Sequence, residues 1–230
     1  MRILVTRPLA DGEAIARRLA DMGHRALLAP LLTPRFLEGP VLDLSQTQAI
    51  LITSANGVRA LAGRTPKRDI PIYAVGPQSA QAARGEGFLR VRSAAGDAGA
   101  LAQAVSGWAD PAAGVLLHAA GEEAGDGLCQ NLTAHGFATR RANLYRMEKA
   151  VHLPAAATLA LRQGEVDAAL FFSPKSAALF AECARRDGVS AAGMTAICIS
   201  ANTAEALKDL RLADIRIAAA PNQDALLACL

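Results

Sequence analysis

The sequence has few aromatic residues and few cysteines. Aromatic side chains make up 4% of the 230 residues, whereas hydrophobic residues in total make up 52%, so aliphatic side chains must build the cores. The four cysteines form no CxxC pair and no other metal-ligand spacing. We therefore predict reduced, mostly buried thiols and no metal site.

The chain also lacks the marks of membrane, secreted and nucleic-acid-binding proteins. No apolar run reaches the length of a membrane span, and MRILVTRP leads directly into a strand without the apolar region of a signal peptide. The net charge is only +3, and no basic run is long enough to indicate nucleic acid. We expect a cytoplasmic protein that binds neither membranes nor nucleic acids.

Nucleotide-binding motifs are missing too. The turn Val75-Gly76-Pro77-Gln78-Ser79 is not GxGxxG, no suitably placed acidic residue follows it, and GxxxxGK[ST] does not occur, so an NAD site is excluded. The turn nevertheless opens a helix. Gly76 lets the backbone approach a ligand closely, and Ser79 can cap the helix or contact that ligand.

The segment Ile50 to Leu61, ILITSANGVRAL, shows what the chain does have. Four apolar or β-branched residues predict a short buried strand, a small turn follows, and Val58 and Leu61 restart the apolar pattern at helical spacing. Thr53 and Ser54 lie where the strand ends. Their hydroxyls can cap the free N–H groups of the helix, or those N–H groups can bind an anion.

The same strand-turn-helix pattern recurs along the chain. LFFSPKSAALF repeats it with Ser173, Lys175 and Ser176 at the helix start, and AICISANTAEAL repeats the Gly76 unit with Asn202 and Thr203. A strand-helix-strand unit precedes each pair, so the order is A-B-C-A′-B′-C′. This internal repeat predicts two similar α/β domains with parallel sheets.

Two extended segments interrupt the repeat, and one follows each A unit. They are Pro30 to Val41, which is rich in proline, and Arg146 to Leu153. We interpret residues 30–41 and 145–153 as paired linkers. The chain would then form a discontinuous first α/β domain from residues 1–33 and 150–230, and a second α/β domain from residues 36–145.

Several polar residues are expected at the ends of strands. Arg7 follows the first strand, where ligands of open parallel sheets bind, although a surface salt bridge is an equal alternative. The strand through His118 ends at Gly121 and faces the same kind of crevice. His118 could donate a proton or pair with a carboxylate, but a structural or solvent-facing histidine is the more common case. The acidic residues after Gly121 could suggest glycosidase carboxylates, yet a solvated loop is the better interpretation.

An ordered set of segments carries a resemblance to a known family. TRP at the first strand end, TSANGV, VGPQSA, LYRMEKA, FFSPKSA and SANTAEAL together resemble the uroporphyrinogen-III synthases over essentially the whole chain. The resemblance implies two α/β domains joined by a two-stranded linker, with the active site in the cleft between them. It implies cyclisation of hydroxymethylbilane, with loss of water and inversion of the last pyrrole ring through a spiro intermediate. No cofactor is implied.

The resemblance also suggests residue roles. Tyr145 matches a tyrosine that follows the A′ unit in similar enzymes and is the best candidate proton donor. The helix starts of units B, C, B′ and C′ would hold the carboxylates of the substrate. The residues expected to bind substrate are Arg7, Thr53, Ser54, Ala55, Gly76, Ser79, Gly121, Ser173, Lys175, Ser176, Asn202 and Thr203.

The sequence departs from the family pattern in two places. Ser200-Ala201 stands where a Gly-Pro pair is usual, and the loop after His118 has acidic residues where an arginine is often found.

We expect a monomeric enzyme that acts on a small-molecule tetrapyrrole polycarboxylate. The alternative is a non-catalytic two-domain α/β protein that binds a small polyanionic ligand.

Overall fold

A computed structural model describes all 230 residues. The elements, in chain order, are β1 (Arg2–Val5), α1 (Leu9–Asp21), β2 (Arg25–Leu28), β3 (Leu32–Phe36), β4 (Thr47–Ile52), α2 (Ala55–Ala62), β5 (Ile72–Ala74), α3 (Pro77–Gly85), β6 (Val91–Ser93), α4 (Ala98–Ser106), β7 (Val115–Gly121), α5 (Gly127–Ala134), β8 (Thr139–Lys149), α6 (Ala155–Arg162), β9 (Ala168–Phe171), α7 (Pro174–Arg186), β10 (Thr195–Cys198), α8 (Ala201–Glu205), β11 (Asp214–Ile217) and α9 (Gln223–Leu227).

Two compact units share these elements. The first unit comprises Met1–Thr33 with Glu148–Leu230, and the second comprises Pro34–Met147. The first contains a five-stranded sheet in the order β11-β10-β9-β1-β2, and the second a six-stranded sheet in the order β3-β8-β7-β4-β5-β6. Neighbouring strands from β11 to β2, and from β8 to β6, are parallel. The α/β class with parallel sheets is therefore confirmed.

The two sheets share one spatial order. Read across the sheets, β11-β10-β9-β1-β2 matches β6-β5-β4-β7-β8 strand by strand. Units B′ and C′ of the sequence repeat therefore pack beside unit A, while units B and C pack beside A′. In each sheet the strand order reverses between two neighbouring central strands, because later strands are added on opposite sides of them. Such a reversal creates a crevice at the carboxyl ends of these two strands. These neighbours are β1 and β9 in the first unit, and β7 and β4 in the second.

Both faces of each sheet are covered by helices. Along β1, Ile3 and Val5 face one apolar cluster and Leu4 faces the other; along β4, Ile50 and Ile52 alternate with Leu51 in the same way. All of these side chains are buried. Strands buried on both faces read as continuous apolar runs, which is why ILV and ILI gave no alternating pattern.

The segments between the repeats form an antiparallel pair. The Leu37 N–H bonds to the Leu144 carbonyl, and the Ala150 N–H bonds to the Leu31 carbonyl, so β3 and β8 run in opposite directions. β3 is only five residues long, whereas β8 has 11. The first helix begins at Leu9, and the Pro8 carbonyl accepts from the Asp11 and Gly12 N–H groups.

Candidate active site

The amino end of α2 lies at the crevice of the second unit and carries a paired hydroxyl and phenol. Ser54 has an extended backbone and caps α2, because its Oγ accepts a hydrogen bond from the Gly57 N–H at 3.1 Å. The same Oγ lies 2.8 Å from the phenol oxygen of Tyr145. Tyr145 is on β8, which β7 separates from β4 in the sheet. Both side chains are half-buried, so the hydrogen-bonded pair remains open on one side.

Two glycines allow this approach. A Cβ on Gly121 would lie 2.8 Å from Cζ of the Tyr145 ring, so only glycine lets the phenol lie against the end of β7. A Cβ on Gly57 would lie 2.9 Å from the Ala119 carbonyl oxygen, so α2 also packs directly on the β7 backbone. Gly121 therefore makes room for the tyrosine ring, and its expected contact with substrate stays a prediction.

Arg141 holds the acidic loop after β7, a role that the sequence did not reveal. Its guanidinium donates to Asp126 Oδ1 at 2.6 Å and to the Gly121 and Glu122 carbonyls at 2.9 and 3.0 Å. The arginine missing from the loop itself is therefore supplied to it by β8. The only available signal was the basic pair in ATRRANLY, which does not indicate which carboxylate it would meet.

Thr53 and His118 lie side by side at the same sheet edge. Thr53 Oγ1 is 3.3 Å from His118 Nε2, and both residues line a cavity of about 340 Å³. His118 is only 1% exposed. Burial, with a smaller contribution from nearby Arg141, lowers its pKa to about 4, so the ring is neutral near pH 7.

The start of α3 has an open backbone and a buried hydroxyl. Gly76 is the N-cap and makes no side-chain cap, and nothing approaches its would-be Cβ more closely than the Gly96 oxygen at 4.0 Å. Ser79 is 6% exposed and lies inside the first turn. A ligand at this turn would therefore meet backbone atoms rather than the Ser79 side chain.

In the first unit, Arg7 lies over the crevice between β1 and β9. Its guanidinium bonds to Asp11 Oδ2 at 2.8 Å and stacks 4.9 Å from the centre of the Phe172 ring. Arg7 therefore forms the salt bridge of the one alternative, while its contact with a ligand at the carboxyl end of β1 stays a prediction. The side chain of Arg7 is 20% exposed.

The start of α7 repeats the cap of α2. Ser173 Oγ accepts from the Ser176 N–H at 3.1 Å, and the Ser176 hydroxyl lies 3.0 Å from both Oγ and the carbonyl oxygen of Ser173. Ser176 is buried, whereas Lys175 is exposed. The Ser176 side chain thus belongs to the cap, and the expected contact of Ser176 with substrate stays a prediction.

The start of α8 has the same arrangement. Ser200 caps the helix, and its Oγ lies 3.0 Å from the Thr203 hydroxyl, which is fully buried. Thr203 therefore presents no side-chain hydroxyl to a ligand, while Asn202 is exposed. α8 has only five residues, so it lacks the aligned peptide dipoles of the longer helices.

Within the second unit, the structure brings Thr53, Ser54, Ala55, Gly121 and Tyr145 to one edge of the sheet. Gly76 and Ser79 follow β5, the next strand along that edge. In the first unit, Arg7 and Ser173 follow the neighbouring strands β1 and β9. No group of three or more His, Cys, Asp or Glu side chains is placed to hold a metal ion.

The fold and site define a class of protein: an α/β enzyme of two parallel-sheet units, with a phenol and serine-capped helices at the carboxyl edges of the strands. The family model described as uroporphyrinogen-III synthase HemD matches residues 13–228. The chain belongs to the uroporphyrinogen-III synthase family.

Solved structures of similar proteins have the same fold. Uroporphyrinogen-III synthetase from Helicobacter pylori 26695 is 21% identical with a TM-score of 0.67, and the match covers 100% of this chain and 98% of that one. A mutant uroporphyrinogen III synthase from the extremely thermophilic bacterium Thermus thermophilus is 19% identical with a TM-score of 0.51, covering 100% and 96%. A search of curated proteins finds no match. No helix is long and apolar enough to cross a membrane.

The family assigns the reaction. The chain is a lyase of porphyrin and haem biosynthesis that cyclises hydroxymethylbilane to uroporphyrinogen III, with loss of water and inversion of the last ring.

Proposed function

We propose that Tyr145 is the catalytic proton donor and that Ser54 orients it. The reaction must first expel the hydroxyl group of the linear tetrapyrrole, and hydroxide is a poor leaving group unless it is protonated as it departs. The 2.8 Å contact between Ser54 Oγ and the phenol oxygen is the observation that carries this assignment.

We propose that the Ser54 hydroxyl is the donor of that hydrogen bond. Its oxygen already accepts the Gly57 N–H, and its single proton can be donated to the phenol oxygen. The phenol O–H is then free to point towards the departing hydroxyl. As the proton leaves, the Ser54 hydroxyl stabilises the phenolate that forms, since hydrogen bonds to charged oxygens are stronger than neutral ones.

Backbone groups at the helix starts would bind the substrate carboxylates. The amides around Ala55 in α2, Gly76 in α3 and Ser173 in α7 lie at helix amino ends, where anions are favoured. Because the Ser79, Ser176 and Thr203 side chains are buried, we assign these residues a backbone or capping role. Side-chain contacts are proposed for Thr53, Arg7, Lys175 and Asn202. Gly121 provides the wall that positions Tyr145.

We further propose that the enzyme is monomeric and cytoplasmic. All four cysteines are free, which is typical of a reducing compartment. A single chain carries both α/β units of the family fold, so no second copy is needed to complete it.

The test is a product-isomer assay. Purified protein is supplied with hydroxymethylbilane, the products are oxidised, and the porphyrin isomers are separated by chromatography. We expect the inverted isomer with the wild-type protein and the non-inverted isomer, from spontaneous closure, in a sample without protein. Binding of the linear tetrapyrrole with no change in isomer ratio would instead support the non-catalytic binding protein. A sedimentation experiment on the same sample measures the oligomeric state.

A further inference from the structure

The cavity beside His118 lies at the point where the second sheet reverses its strand order. It has a volume of about 340 Å³, and its walls include Thr53, Gly99, Leu128 and Asn131. Ala98, Leu128 and Ala124 supply apolar surface, whereas Thr53 and the first turn of α5 supply hydrogen-bond donors. Such a lining matches a short carboxyalkyl arm, which has apolar methylene groups and a charged end.

The amino end of α5 faces this cavity without a side-chain cap. Asp126 occupies the N-cap position but makes no capping hydrogen bond, because its carboxylate is paired with Arg141. The amides of the first turn are thus not satisfied by the residue that usually does so.

The buried His118 has no polar counterpart in the other unit. It pairs across the sheet with Leu51, three residues before the cap Ser54, whereas Leu170, three residues before the cap Ser173, pairs with Val5. The same position therefore holds a fully buried valine in one sheet and a histidine in the other. Folding needs only an apolar side chain there, so the imidazole calls for a different explanation.

One tautomer of His118 satisfies both of its neighbours and leaves a donor facing the cavity. Burial raises the pKa of the Cys129 thiol, so the thiol keeps its proton, and its sulfur lies 3.9 Å from His118 Nδ1. If the thiol donates to Nδ1, the single proton of the neutral ring is on Nε2 and is donated to Thr53 Oγ1 at 3.3 Å. The Thr53 hydroxyl then accepts from His118, so its own proton is not used in the contacts among Cys129, His118 and Thr53. That proton can be donated to a ligand in the cavity.

We infer that His118 is a positioning residue which holds Thr53 as a hydrogen-bond donor to one carboxylate arm of the substrate in this cavity. The inference rests on the tetrapyrrole activity of the family for the identity of the arm. It adds a subsite separate from the Ser54–Tyr145 pair, and it assigns Cys129 the role of fixing the imidazole tautomer.

The first experiment measures the tautomer without any substrate. A two-bond proton–nitrogen NMR spectrum of the ¹⁵N-histidine-labelled wild-type protein near pH 7 reports which ring nitrogen of each histidine carries the proton. The His118→Gln spectrum identifies the His118 signals. We expect the proton of His118 on Nε2. A proton on Nδ1 would refute the proposed hydrogen bonds from Cys129 to His118 and from His118 to Thr53.

The second experiment is a double-mutant cycle in steady-state kinetics with hydroxymethylbilane. Loss of a hydrogen bond to a charged group costs on the order of 1.5–3 kcal/mol, so His118→Leu and Thr53→Val should each raise KM roughly tenfold or more. The kcat should change less than about twofold, because the contact is made equally in the ground and transition states. The double variant should be no worse than the single variants, because His118 acts through Thr53.

Two controls separate positioning from general damage. His118→Gln should recover most of the KM, since its amide can donate to Thr53, while His24→Leu in the first unit should leave KM unchanged. Additive effects in the double variant, or a lower kcat at unchanged KM, would refute the inference. A wild-type protein that makes no inverted isomer, yet has His118 protonated on Nε2, would refute the proposed function and leave only the Thr53 orientation standing.

Discussion

Ser54 and Tyr145 are 91 positions apart in sequence and 2.8 Å apart in space. Ser54 ends the turn after β4, and Tyr145 lies on β8, so β7 separates their strands in the sheet. Their oxygens meet because β7 ends in a glycine that leaves room for the phenol ring. The proposed catalytic role of Tyr145 therefore depends on three elements at once, and each can be perturbed separately.

Removal of the phenol hydroxyl tests the proton donor. Tyr145→Phe should fold normally and lose on the order of 10²-fold in kcat, because a positioned proton donor is lost. The chain offers a matched control in its second tyrosine: Tyr73, whose hydroxyl donates to the Trp108 carbonyl. Tyr73→Phe should retain full kcat with at most a small loss of stability. Wild-type turnover by Tyr145→Phe would exclude Tyr145 as the donor.

Displacement of the phenol ring tests its placement. Gly121→Ala would put a methyl group 2.8 Å from the ring, so the phenol must shift, and shifts near 1 Å can lower a rate about 10²-fold. Gly85→Ala, at the end of α3 in the same unit, meets nothing within 4 Å and should have no effect. Kinetics and circular dichroism on both variants provide the comparison. Equal activities would show that the ring position does not matter.

A proline at the first position of α2 tests the backbone amide. Ser54 is already extended, so Ala55→Pro should fold, but it deletes one N–H and should weaken substrate affinity about tenfold if a carboxylate uses that group. The control is Ala201→Pro at the start of α8, where Ser200 is also extended. That variant should keep its affinity. The measurement is the KM for substrate of the two variants. An unchanged KM for Ala55→Pro would exclude the Ala55 amide from substrate binding.

Protonation of His118 should couple stability to pH. Its pKa is lowered from 6.5 to about 4 by burial in the folded protein. Between these values the unfolded chain takes up a proton that the folded chain does not, so the free energy of unfolding should fall as pH decreases. The fall can reach about 3 kcal/mol at pH 4. Urea denaturation across pH 4 to 7.5 measures it, and His118→Leu should remove this part of the slope.

The second unit should fold when expressed alone. Residues 34–147 contain the complete six-stranded sheet, so a protein of this span should melt cooperatively and give a dispersed proton NMR spectrum. Residues 1–109 lack β7 and β8, leaving β4 with an unpaired edge and exposed apolar faces, and should aggregate. A well-folded 1–109 together with a disordered 34–147 would reverse the proposed domain assignment.

Local chemistry explains which site features were predictable from sequence. Ser54 and Ser173 were expected as possible helix caps because a small hydroxyl residue followed an apolar strand, and both accept the expected N–H bonds. The parallel α/β class followed from repeated strand-turn-helix patterns, since these depend only on neighbouring residues. The family membership followed from the order of such segments and is confirmed over residues 13–228.

The partners of long-range contacts were not accessible from sequence. Arg141 meets the loop after β7, and His118 meets Thr53 and Cys129, because parallel pairing places strand ends together that lie far apart in the chain. The burial of Ser176 and Thr203 was missed for the same reason, as hydroxyl residues in a first turn look alike in sequence whether they face solvent or the core.

The sequence by itself determined the class of fold, the family and the residues that start several of the helices, because periodicity, caps and turns are local. Only the tertiary structure decided which hydroxyls face outward, that Gly121 serves Tyr145, and that His118 stands opposite a cavity. These properties depend on the strand order and register of the sheets, which bring together side chains whose separation in sequence carries no signal.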